Sequence, residues 1–189
     1  MRKAIQLVAL LNLAYFGIEF AVAISIESVS LFADSIDFLE DASVNVLILL
    51  ALGWNSAARS RVGMALAGIL LIPGLATLWM AWHKFNLPMP PNPVSLGATG
   101  LGALAINLSC AFMLARHRAS GGSLTRAAFL SARNDAFANV AIIGAGIVTA
   151  FTPSAWPDLV VGLGIAVLNA DAAREIYQAA RAEHSEARS

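Results

Sequence analysis

The chain has 189 residues, of which 58% are hydrophobic and only 13% charged. A soluble domain carries nearly twice that share of charge, so a water-soluble globular protein is excluded and an integral membrane protein is expected. The formal net charge is zero, and the single cysteine, Cys110, leaves no intrachain disulfide and no cysteine metal cluster.

Six apolar stretches account for almost the whole chain, each near the 20 or so residues that a membrane helix needs. The first covers 4–24. Arg2 and Lys3 ahead of it, with Ala21-Val22-Ala23 inside it, resemble a cleaved leader. Asn12, Tyr15 and Glu19 spoil that run as a leader core, so it reads as an uncleaved first helix. The second span covers 30–52. The third, 62–82, and the fourth, 94–115, contain no charge. Pro73 should kink the third. The fifth, 124–150, contains Arg133 and Asp135. The sixth, 155–176, is the weakest, because Asp171 and Arg174 fall in its last turns. Gly17, Ala21 and Ser25 in the first helix, and Gly144 with Gly146 in the fifth, are small residues suited to close helix packing.

The connections set an expected orientation. Arg2 and Lys3, Arg59 and Arg61, Arg116, Arg118 and Arg126, and Arg174, Arg181 and Arg188 all fall on one side. The opposite loops hold only Lys84, so both termini are expected in the cytoplasm. Trp82 and Trp156 lie near the outer boundaries, as interfacial aromatics do. The Pro-rich loop 83–93 reads as a short extended connector. The expected organisation is a six-helix membrane domain over 1–180 and a short polar cytoplasmic tail over 181–189, with no soluble C-terminal domain.

The stretch from Leu31 to Val46 carries Asp34, Asp37, Glu40 and Asp41 inside an apolar run. At 100° per residue, Asp34, Asp37, Asp41 and Asn45 share an arc of about 80°, and Glu40 sits about 60° beyond its edge. A charged loop between helices would account for Glu27 and Asp34. It does not account for Asp37 and Asp41, because a long apolar stretch follows them directly. Charge within a membrane costs several kcal/mol, faces a cavity and marks a pathway.

One phrase occurs twice. Asp41-Ala-Ser-Val-Asn-Val46 matches Asp135-Ala-Phe-Ala-Asn-Val140, and Leu11-Asn12-Leu13 echoes Ile106-Asn107-Leu108. Asn12 precedes Asp41 by 29 residues, and Asn107 precedes Asp135 by 28. Four matched positions also arise by chance in an Ala/Val-rich chain. A true repeat would give two inverted three-helix halves meeting near the membrane midplane, with Asp41 and Asp135 convergent.

At these residues the chain resembles the cation diffusion facilitator family of divalent-metal efflux transporters. Leu11-Asn12 and Glu19 look like that family's first helix. Glu27 through Asp41-Ala42 looks like its second-helix signature. Asp135-Ala-Phe-Ala-Asn139 looks like part of the fifth, and Trp156-Pro-Asp158 like the opening of the sixth. The resemblance implies metal ligands at Asp37, Asp41 and Asp135, with the fourth ligand position falling on Ser131, a poor zinc ligand. Ser131, Asn139 and Asn45, a turn from those carboxylates, are weaker candidates as neutral oxygens, and Asp34 is another. His83, His117 and His184 do not replace the missing ligand by position.

The implied activity is secondary transport rather than catalysis: divalent metal efflux by metal/proton antiport. An all-oxygen site favours manganese, magnesium or ferrous iron over zinc or cobalt. The implied setting is a homodimer in membrane lipid, in a bacterial inner membrane. Nothing points to nucleic acid, nucleotide or a redox cofactor. A transport-inactive partner or sensor of the same fold is the alternative, favoured by Ser131, by Arg133 and by the missing soluble domain. Arg133 lies about 160° around the helix from Ser131 and Asp135. It is either a cation standing in for metal or an arginine snorkelling to the inner interface. An intramembrane aspartyl hydrolase is the third reading. Asp37 is superfluous to its dyad, and its usual glycine-bracketed motif is absent.

Overall fold

The computed structural model describes residues 2–51, 74–115 and 122–186. They form six helices and no strand. These are α1 (Arg2–Ser25), α2 (Val29–Ala51), α3 (74–86), α4 (Pro93–Ala115), α5 (Gly122–Phe151) and α6 (Trp156–Glu186). Pro73, Arg59, Arg61, Arg116, His117 and Arg118 lie outside the described residues, as do the side chains of Arg126 and His184.

The expected spans and the observed helices differ by one or two residues at most ends. The exceptions are the end of α3, which runs to 86 rather than 82 and takes in the start of the segment expected as an extended connector, and α6, which runs ten residues past the expected 176 and takes in most of the segment expected as a tail. For α6 the reason is local. Ala179, Ala180, Arg181, Ala182 and Glu183 are strong helix formers, and neither Gly nor Pro follows Gly164.

Side chains set the helix starts. Ser28 Oγ accepts from Leu31 N at 3.2 Å and caps α2. Asn92 Oδ1 accepts from Ser95 N at 2.9 Å and caps α4, with Pro93 at its first position. The link between α1 and α2 is only three residues long. It turns through Glu27 at a φ of 53°, a left-handed conformation that permits so tight a reversal.

α1 and α2 form an antiparallel hairpin in which Tyr15 meets Phe38 at 5.0 Å and Phe20 meets Phe32 at 5.5 Å between ring centroids. α4 and α5 form a second, in which Gly146 lies against the backbone of Gly97. α6 runs parallel to α2. Leu31, Ala33, Ile36, Leu96, Ile142 and Ile165 join these elements in one apolar core. Leu10, Leu101, Phe112, Phe151, Val160 and Val167 remain exposed on the outside, as lipid-facing side chains must be. Three helical segments, Arg2–Ser25, Pro93–Ala115 and Ala132–Phe151, are long and apolar enough by themselves to cross a membrane. Gly17, Ala21 and Ser25 are exposed, so this small-residue stripe does not pack within the bundle.

Candidate metal site

α2 enters the bundle from the α1–α2 turn, and Asp37 lies eight residues in, about 12 Å at 1.5 Å per residue. From there toward the C-terminal end of α2 a cavity of about 280 Å³ opens between α2, α5 and α6. Asp37, Glu40 and Asp41 line it from α2, Asn134 and Asp135 from α5, and Asn169 and Asp171 from α6. The cavity forms there because α2 and α5 run antiparallel and bring the Asp37–Asp41 turn level with Asp135. Asp41 Oδ2 accepts from Asn12 Nδ2 of α1 at 3.4 Å. Among the described residues no three His, Cys, Asp or Glu side chains close on one ion position. The carboxylates ring a space rather than grip a point, so an ion here would keep part of its water.

The weaker candidates fall elsewhere. Asp34 is fully buried and accepts a short hydrogen bond from Asn139 Nδ2, while Asn139 Oδ1 accepts from Asn107 Nδ2 at 3.0 Å. Neither Asp34 nor Asn139 lines the cavity. Asn45 Nδ2 donates to the Asp41 carbonyl at 2.7 Å, and its buried Oδ1 has no partner among the described residues. Ser131 lies on the α5 backbone, and its side chain is outside the described residues. His83 is exposed at the end of α3. Arg133 is exposed and reaches Asn134 Oδ1 at 3.4 Å, so it does not fill the cavity.

A second buried carboxyl lies behind the cavity. Glu19 is fully buried beside Asp34, and among the described residues neither of its oxygens meets a donor. Tyr15, the nearby hydroxyl, is committed to the Thr99 carbonyl at 2.6 Å.

Sequence reasoning missed the contribution of α6. Asp171 looked only like part of a weak helix end and Asn169 was not singled out, yet both line one wall of the cavity. Their spacing from Asp158 at the start of α6 carries no signal until α6 is laid parallel to α2. Glu40 was visible in the sequence but stood off the main acidic arc.

At the opposite end the bundle is tied shut. Asp158 Oδ1 accepts from Ser28 Oγ and Ser30 Oγ, both at 2.6 Å, and Oδ2 accepts from Val29 N at 2.9 Å. Lys84 Nζ lies 3.2 Å from Oδ2 and also donates to the Glu27 carbonyl. Lys84 is therefore a buried partner, not the solvated loop charge that its position suggested.

The arrangement is chemically one-sided: an acidic cavity toward one end of a membrane bundle and a knot of hydrogen bonds at the other. No curated protein matches the chain closely enough to count as a relative. The family model for the cation efflux transmembrane domain matches residues 5–181. That match spans all six helices and agrees with a bundle whose cavity is lined by carboxylates, so the chain belongs to the cation efflux family, whose members are transporters of metal ions and not enzymes.

Proposed function

We propose that this cation efflux transporter carries a divalent metal through the cavity between α2, α5 and α6, with Asp37, Asp41 and Asp135 as the residues that hold it. The observation carrying this reading is that carboxylates of two facing helices share one cavity inside a membrane bundle. Asp37 and Asp41 stand one turn apart on α2 and can touch one ion together. Asp135 reaches the same space from α5. Asn12 holds Asp41 in place, as residues behind a ligand commonly do.

Without a cation these carboxylates repel one another and hold protons. A divalent cation displaces the protons, and protons arriving from the far side release the cation, which makes metal/proton antiport the natural cycle. With oxygen donors alone among the lining residues, manganese and ferrous iron suit the cavity better than zinc or cobalt. We take the membrane to be a bacterial inner membrane, with both termini and the cavity mouth on the cytoplasmic side and the domain spanning 1–180. The family resemblance makes a homodimer the working unit. Of the three features that favour the transport-inactive reading, Arg133 as a substitute for metal is argued against by its exposed position.

The test is transport by the purified chain in vesicles loaded with a pH indicator, offered manganese, iron, cobalt or zinc. Metal uptake with matching proton movement is expected, and Asp41→Ala should abolish it. Metal movement no faster than in Asp41→Ala would sink the proposal.

A further inference from the structure

The polar residues just behind the cavity have no part in that reading. On α2, Asp34 stands one turn before Asp37, and on α5, Asn139 stands one turn after Asp135. Because α2 and α5 run antiparallel, both steps lead toward the sealed end, by about 4.5 and 6 Å along the helices. There Asn139 Nδ2 donates to Asp34 Oδ2, and Asn107 Nδ2 of α4 donates to Asn139 Oδ1 at 3.0 Å. Asp34, Asn107 and Asn139 are all buried, none more than 2% exposed. The Asn139 amide is thus engaged at both ends. Asn107 holds its oxygen, so its N–H₂ faces the Asp34 carboxylate, and a flipped amide would set oxygen against oxygen. The neighbouring residue of α2 makes a second tie: the Ala33 carbonyl accepts from Asn169 Nδ2 of α6 at 3.2 Å. α5 and α6 are the walls that face α2 across the cavity, and both are fastened to α2 at Ala33 and Asp34.

We propose that Asn107 and Asn139 are positioning residues: with Asp34 they form a strut across α4, α5 and α2 that fixes the separation of Asp37 from Asp135, and with it the size of divalent cation the site prefers. The proposal rests on the transport reading above and names what sets its selectivity. Carboxylates on facing helices repel one another and push α2 and α5 apart. A hydrogen bond to a carboxylate is about twice as strong as a neutral one, so the Asn139–Asp34 bond is suited to oppose that push. Among the described residues no three carboxylates close on one point, so their own contacts do not define an ion radius. The spacing of the helices that carry them does. Oxygen sites discriminate between smaller and larger divalent cations by cavity size and rigidity. A spacing held rigidly for manganese leaves the larger calcium ion poorly accommodated.

The experiment is competitive binding of manganese and calcium to the detergent-purified full chain, read as the ratio of their dissociation constants. A variant that merely loses folded protein has fewer sites but an unchanged ratio, so the ratio reports on the strut. The wild type should prefer manganese. Asn139→Ala should weaken manganese about tenfold, as loss of a residue behind a ligand does, and calcium by less. Asn107→Ala, which leaves Asn139 in place but free to flip, should shift the ratio the same way by a smaller factor. Asn139→Asp alone sets two carboxylates face to face and should lose the preference. The exchange Asp34→Asn/Asn139→Asp rebuilds the bond with donor and acceptor reversed and the charge unchanged, and should recover most of the tenfold loss. If Asn139→Ala does not fold, Asn107→Ala and the exchange carry the same test. A wild type that does not discriminate, a wild-type ratio in Asn139→Ala, or an exchange no better than Asn139→Asp overturns the strut. Manganese binding that survives all of these and vanishes in Asp37→Asn/Asp135→Asn would leave the transport reading standing while this one falls. No manganese binding by the wild type overturns both.

Discussion

Asp158 of α6 and Lys84 of α3 form a buried ion pair at 3.2 Å, and the same carboxylate caps the first turn of α2. One side chain thereby ties three helices and the α1–α2 turn together at the end away from the cavity. Removing one partner of a buried pair strands the other charge, at a cost of about 3–5 kcal/mol. Lys84→Met should therefore lower stability in detergent by that order. Adding Asp158→Asn should not restore the loss, because both carboxylate oxygens accept and the amide nitrogen would face a donor such as the Val29 N–H. Equal melting temperatures for Lys84→Met and wild type would show that the four hydrogen bonds to Asp158 suffice without the lysine.

Gly162 is where α6 crosses the start of α2. A Cβ there would lie 2.7 Å from Ser30 N and from the Val29 backbone, neither of which can move aside cheaply. Gly162→Ala should cost about 1–3 kcal/mol through overpacking. Gly17→Ala is the counterpart, since nothing lies within 4 Å of its Cβ position. It should stabilise α1 by up to about 1 kcal/mol through helix propensity. Thermal unfolding of the two variants side by side checks both signs.

Glu19 presents two buried oxygens with no donor, next to Asp34 with one more. Glu19→Gln would supply an amide N–H at nearly the same shape. It should raise stability by about 1 kcal/mol, the net value of one hydrogen bond. Unfolding in detergent near neutral pH measures it. A loss of similar size would show that Glu19 already donates to Asp34 through a proton of its own.

The legibility of the site followed helix geometry. Asp37 and Asp41 stood out because a 100° rotation per residue puts them on one face of a helix that must otherwise be apolar. The repeated Asp-Ala-x-x-Asn-Val phrase picked out Asp135 for the same reason, and all three line one cavity. Asp34 and Asn45 share that arc and do not line the cavity. The rotation gives a direction around α2 but not what stands opposite, and opposite Asp34 stand Asn139 and Glu19. The two halves also differ in detail. Asn12 bonds Asp41, whereas the equivalent Asn107 bonds Asn139 rather than Asp135.

By itself the sequence determined the class of the protein, the number of helices, most of their described bounds within a few residues, though not the end of α6, and the acidic face of α2. Each of these follows from local quantities: composition, the length of apolar runs and the period of a helix. Only the tertiary structure decided that α6 closes the cavity with Asn169 and Asp171, that Lys84 is the buried partner of Asp158, and that Asp34 turns away to Asn139. Those relations join residues between 74 and 136 positions apart. They depend on which helices pack together, and no periodicity along one helix carries that information.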